Sequence, residues 1–218
     1  MNKNNVDLEG FTAVSAFRHA ESVRQSLNTI NWMSIEWRLR GGMDMEYMQA
    51  THSSRHIMGA LLTEVYLKAL MKLRGKTIPK SHKLYSLFKK LDKHDKNEIV
   101  KEFDGIQSTI DRRRVESGFP FIIKSPSFIE VIDSHNDSFE YWRYAYEADD
   151  PRQMHEMKGC LEMVSDAIRK RLVTLQPDWA QYQYHDAWRT RLGEGKSPNL
   201  KENNDYFYLP TIFQDMRK

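Results

Sequence analysis

The chain has 218 residues, 40% of them hydrophobic and 29% charged, with a mean hydropathy of −0.70. That length holds one domain or a domain with an appendage, and 5 Trp, 10 Tyr and 10 Phe supply a core that excludes global disorder. A single cysteine, Cys160, excludes an intrachain disulfide framework and a cysteine-based zinc finger, while 10 Gly and 7 Pro disfavour a turn-rich all-β protein.

The first residues, Met1 to Asn5, lack the apolar stretch of a secretory signal, and the most apolar segment, Ile57 to Leu73, is interrupted by Glu64 and Lys68. The expectation is a soluble, cytoplasmic protein with no membrane span. The net charge of +3 hides a division, because residues 51–101 carry 12 Lys/Arg against 4 Asp/Glu and residues 102–150 carry 5 against 11. A basic block beside an acidic one fits an anionic partner, two regions that attract each other or a second copy, or a solvated Lys-rich helical face.

In chain order, Ala13, Phe17, Ala20, Val23, Leu27, Ile30 and Trp37 recur at helical spacing and predict a helix from Ala13 to Leu39, ended by Gly41-Gly42. Asp44 caps a second helix that runs to about Leu73 and stops at Arg74-Gly75, before Pro79. Two long helices around a tight turn predict an antiparallel hairpin. Ser81 is the expected cap of a third helix with the stripe Leu84, Leu87, Phe88 and Leu91, and residues Asn97 to Arg114 read as shorter helical pieces broken near Asp104-Gly105. The two prolines in Gly118 to Pro126 predict a loop or extended insert. Ser127-x-x-Glu130 is a capping box, Asp137-x-x-Glu140 resembles one, and Asp150-Pro151 places proline at the first position of a helix. That last helix is expected to carry Met154, Met157, Leu161, Val164, Ile168, Leu172 and Leu175, with Cys160 inside it as a small buried hydrophobe, and to end at Gln176-Pro177. The fold expected is all-α, an antiparallel helical bundle over residues 1–175. Residues 176–218 form a loop-rich, aromatic extension that docks on it, with Tyr206 to Phe213 as a segment that could instead bind a partner.

Candidate chemistry is sparse. His52 and His56 are four apart on one helical face, but Ser53 stands where a metalloprotease needs Glu, and no Glu-x-x-His pairs occur on two helices, so no metal is expected. Neither GxxxxGK[ST], GxGxxG nor GxSxG occurs, which removes the usual phosphate-loop, dinucleotide and hydrolase routes. In the segment Phe139 to Glu147, Phe139, Trp142 and Tyr146 share a face with Arg143 at its edge, either a stacked cation paired with Glu147 or a phosphate ligand. Glu64 and Lys68 stand in the favourable order for an ion pair within the apolar second helix. A polar cluster of Glu64, Lys68 and Glu147 inside such a helical array is a candidate site.

The run Ala60-Leu-Leu-Thr-Glu-Val-Tyr-Leu-Lys-Ala-Leu70, then Gly75, then His82-Lys-Leu-Tyr-Ser-Leu-Phe88, and later Phe139-Glu-Tyr-Trp-Arg-Tyr-Ala-Tyr-Glu147, resembles the HEPN domain family over roughly residues 51–175. The resemblance implies an all-α bundle, frequent homodimerisation and RNA- or nucleotide-linked roles in defence or toxin–antitoxin modules, with a nucleotidyltransferase or a toxin or antitoxin as cognate partner. It also implies, for active members, a metal-independent ribonuclease built on Arg-x4–6-His. Here Arg143 is followed by eleven residues before His155, Arg74 and His82 have seven between them, and Arg152 and His155 have two, so that motif is absent. The expectation is therefore a non-catalytic protein that binds RNA or a nucleotide through Lys68, His82, Lys83, Lys89, Lys90 and Arg143, with no cofactor. Two alternatives stand beside it: a divergent endoribonuclease using Arg143 with His82 or His155, and a protein-interaction partner with no nucleic-acid role.

Overall fold

The structure, a computed structural model, describes residues 12–39, 45–116, 125–143 and 160–182. Among them the chain is all-α, with no strand. Helix α1 spans Ala13–Leu39, and Thr12 starts it by accepting the Ser15 N–H at 3.1 Å. Helix α2 spans Met45–Leu73. The Phe17 and Tyr66 rings lie 5.8 Å apart, contacts far from the connection, so α2 runs back along α1 as the hairpin reading requires.

The end of α2 is set by local backbone chemistry. Gly75 sits at φ +66°, its N–H reaches the Lys72 carbonyl at 3.0 Å, and the Lys76 N–H reaches the Met71 carbonyl at 2.9 Å. Those two crossed bonds satisfy carbonyls that helix termination orphans, and the left-handed residue between them favours glycine.

Helix α3 is Leu84–Lys89, with Lys83 at its N-cap and no side-chain cap bond. The expected Ser81 cap is thus corrected: its hydroxyl accepts the Lys83 N–H at 3.2 Å and shapes the approach to the helix. A larger correction concerns α4, one unbroken helix over Lys93–Glu116 that passes through Asp104-Gly105. Ile99, Phe103 and Ile110 on one face are buried, and burying that face outweighs the roughly 1 kcal/mol that a helix-interior glycine costs.

Helix α5, Phe128–Ser134, begins with the complete capping box of Ser127 and Glu130, and α6, Ser138–Arg143, begins directly after Asp137. Helix α7 is Leu161–Leu175. Cys160 precedes it in extended conformation at the N-cap, which corrects the expectation that it lies inside a continuous helix. Pro177–Tyr182 form a short 3-10 helix whose Trp179 is buried 5.0 Å from the Phe17 ring, so the start of the C-terminal extension packs on α1. Gly41-Gly42, Asp44, residues 118–124, Tyr146, the Asp150-Pro151 start, Met154, Met157 and the extension from residue 183 lie outside the described residues.

Helix α2 lies at the centre, packed against α1, α3, α6 and α7, while α7 also meets α4 and α5. Tyr66, Leu67 and Leu70 of α2, Phe17 of α1, Phe103 of α4, Phe128 of α5 and Ile168 of α7 share one apolar core. Within it Phe128 joins two other rings, 4.7 Å from that of Phe88 and 5.4 Å from that of Phe103. Two ion networks cross this core. Asp95, fully buried, accepts from Arg74 Nε and Nη2 at 2.8 Å and from Arg171 Nε at 2.9 Å, which ties the end of α2 to α4 and α7. Glu21 accepts from the Tyr66 hydroxyl and from Arg169 Nε at 2.8 Å, and Arg24 pairs with Asp166, which ties α1 to α2 and α7.

Candidate functional site

The apolar pattern of α2 turns Glu64 inward, and only 4% of the residue is exposed. Lys68, one turn later, brings Nζ to 2.6 Å from Glu64 Oε1, as the spacing predicts. The second partner comes from outside the helix. His82, on the segment before α3, places Nδ1 at 3.1 and 2.9 Å from the two Glu64 oxygens. An ionised carboxylate only accepts, so Nδ1 carries the proton and Nε2 is the ring nitrogen left to a ligand.

The α5–α6 turn holds this segment in place. The Asn136 carbonyl accepts the Leu84 N–H at 3.3 Å, and its side-chain Oδ1 accepts the Tyr85 N–H at 3.0 Å. That clamp brings α6 alongside, where Phe139 stacks on the His82 ring at 5.0 Å and the Arg143 guanidinium lies 5.2 Å from the Phe139 centroid. Glu64, Lys68, His82, Phe139 and Arg143 therefore form one contiguous group, buried at the carboxylate and half exposed at the imidazole. The Glu64 carboxylate is matched by the Lys68 ammonium and the His82 ring, and Arg143 stands beside the Phe139 ring that stacks on His82.

The remaining predicted cations divide away from this group. Lys83 pairs with Asp137 at 3.4 Å, and Lys89 sits over the Tyr85 ring at 4.5 Å. Lys89 and Lys90 stand at the far end of α3, whose six residues rise roughly 9 Å at about 1.5 Å each. Glu147 and His155 lie outside the described residues, so their proposed parts in the polar cluster and in catalysis are not placed.

His56 does not stand as half of a described metal pair. Its ring stacks on Trp142 at 5.0 Å and on His135 at 5.9 Å, and the side chain of His52 lies outside the description. Among the described residues no group of three or more His, Cys, Asp or Glu could hold a metal ion. Cys160 donates its Sγ–H to Glu162 Oε2 at 2.9 Å, and burial, reinforced by that carboxylate, pushes the thiol well above its ordinary range. A thiol so raised is less ionised, and so less nucleophilic, than an ordinary one.

Sequence spacing found Glu64 with Lys68, and the family-like pattern found His82. The part of Asn136 in seating His82 had no signal in the sequence, because a single Asn in a turn is indistinguishable from any other turn Asn. No described helix is long and apolar enough to cross a membrane. Comparison with protein-family models, curated proteins and solved structures gives no match to this chain.

Proposed function

We propose that this is a HEPN-like protein that binds RNA or a nucleotide by its phosphate, at the cluster of Lys68, His82 and Arg143. The observation that carries the reading is that the buried Glu64 holds both Lys68 of α2 and His82 of the α2–α3 connection, with Arg143 of α6 reached through the Phe139 ring that stacks on His82. Glu64 fixes the imidazole and the ammonium, so a phosphate meets donors already oriented, and Arg143 supplies a guanidinium suited to two phosphate oxygens. Phe139 backs the His82 ring and carries the Arg143 guanidinium against it, so one aromatic ring positions both groups. A filter-binding titration with single-stranded RNA at low salt tests the reading: binding that weakens in His82→Ala and Arg143→Ala supports it, and no affinity at low salt overturns it.

One observation favours a second reading, a metal-independent endoribonuclease. A carboxylate that holds Nδ1–H of a histidine is the arrangement that positions a general base. His82 Nε2 would take the 2′-hydroxyl proton as that oxygen attacks phosphorus. The 5′-oxygen would then leave, taking a proton from solvent, with Arg143 stabilising charge on the phosphate. RNA cleavage that resists EDTA and is lost in both His82→Ala and Arg143→Ala distinguishes this from binding alone.

The same reading places the protein in a defence or toxin–antitoxin module, as a homodimer or beside a nucleotidyltransferase or toxin partner. Sedimentation of the purified chain, with and without RNA, tests the dimer.

A further inference from the structure

We propose that the end of the molecule where α2, α3 and α4 meet is a second phosphate-binding surface, which extends the His82 cluster into a path for a polynucleotide strand. The inference rests on the phosphate-binding reading above and specifies its ligand as a strand of several phosphates rather than a mononucleotide.

This end is built rigidly. Arg74 reaches Asp95, Lys76 Nζ lies 2.6 Å from Asp92 Oδ1 and 2.8 Å from the Lys90 carbonyl, and Lys96 Nζ lies 3.4 Å from the Lys89 carbonyl. Lys76 follows Lys72 by one turn of chain, so its contacts bring the last turn of α2 against the α3–α4 turn that carries Lys90 and Lys93.

Most of the acids in this part of the chain are engaged, Glu98 being the exception among the described residues. Of the four acids in residues 51–101, Glu64, Asp92 and Asp95 each hold at least one cation. Lys72, Lys90, Lys93 and Lys101 are all exposed, and among the described residues no carboxylate is within ion-pair distance of any of them. Like charges gathered without counter-charge repel one another, a cost that a polyanion removes when it binds. Helix α3 links the two sites, with Lys83, paired to Asp137, beside His82 at its start and Lys89 and Lys90 at its end. A strand repeats its charge along such a path, whereas a mononucleotide satisfies only one end of it.

The test uses the full chain with oligouridines of two lengths, a dinucleotide and one of about 20 nucleotides, which exceeds the usual site size for a single-strand binder. The variant Lys72→Gln/Lys90→Gln/Lys93→Gln is compared with His82→Ala over a series of salt concentrations. The triple variant is expected to lose most of the affinity gained from length, and its slope of log affinity against log salt should fall by about 2, at about 0.7 per phosphate contact. His82→Ala should weaken both lengths. A Lys-to-Arg triple variant, which keeps the charge, should bind like the parent and rules out a folding defect. If the parent binds no oligouridine at low salt, the phosphate-binding reading fails and takes this inference with it. If the parent binds and the triple variant keeps its slope and its gain with length, only this inference fails. Loss of self-association in the triple variant with unchanged RNA binding also overturns it, and assigns the lysines to the acidic face of a second copy.

Discussion

At the scale of single residues, the charged groups divide by what their removal exposes. Burial opposes ionisation of Asp95, but hydrogen bonds from Arg74 and Arg171 outweigh it and hold the carboxyl below its ordinary value of 3.8. A depressed carboxyl stabilises the fold fully above that value and ceases to do so as the pH falls through the lower folded one. Asp95→Asn should therefore cost about 3 kcal/mol at pH 7, the low end for breaking a buried pair because Arg74 is one-third exposed and partly solvated. Urea melts at descending pH should show the variant's deficit shrinking below about pH 4; a deficit that stays constant would assign the loss to packing instead. Cys160 gives an opposite kind of test. With its thiol pushed up by burial and by Glu162, it should react slowly with a thiol reagent in the native protein and rapidly once urea unfolds it. How far each group was legible follows from its reach. Glu64 and Lys68 are four apart, and helical spacing shows them. Glu21 and Arg169 are 148 apart, and a pair closed only by tertiary packing leaves no local pattern.

At the scale of elements, glycines separate what local chemistry decides from what packing decides. Gly75 at the end of α2 was legible, since an Arg-Gly before a proline marks a helix stop and the backbone there is left-handed. Gly105 carries the same residue type with the opposite outcome, because the buried Ile99, Phe103 and Ile110 hold α4 together across it. The spacing of those three apolar residues was the signal that outranks the lone glycine. The two sites then predict opposite effects of one substitution. A Cβ added at either position meets nothing within 4 Å, so only backbone conformation acts. Gly105→Ala should stabilise by about 0.5–1 kcal/mol through lost freedom of the unfolded chain. Gly75→Ala should destabilise by about 1 kcal/mol or more, since φ of +66° is strained for an L side chain. Thermal melts of the two variants check this, and a destabilised Gly105→Ala would restore the broken-helix reading of residues 97–114.

At the scale of the whole molecule, charge plays two roles that salt separates. The Asp95 and Glu21 networks that tie α1, α2, α4 and α7 together are buried, and buried pairs are screened weakly. The lysines at the meeting of α2, α3 and α4 are exposed, and any phosphate they bind exchanges with counterions. The net charge of +3 is uninformative here because it averages a basic block over an acidic one, and only the structure shows that most acids of the basic block are spent internally. Raising salt from about 50 to 200 mM should therefore leave the melting temperature within a few degrees while RNA affinity falls by about 10-fold or more, as expected when several phosphates are contacted. Melting curves and filter binding on the same samples check both halves. Parallel loss of the two would mean that salt unfolds the protein and that the binding loss says nothing about phosphate. Unchanged affinity with a steady melt would mean that the lysines face solvent and not a polyanion. The expected divergence, by contrast, is the signature of a frame whose ion pairs are internal and whose exposed lysines are not neutralised.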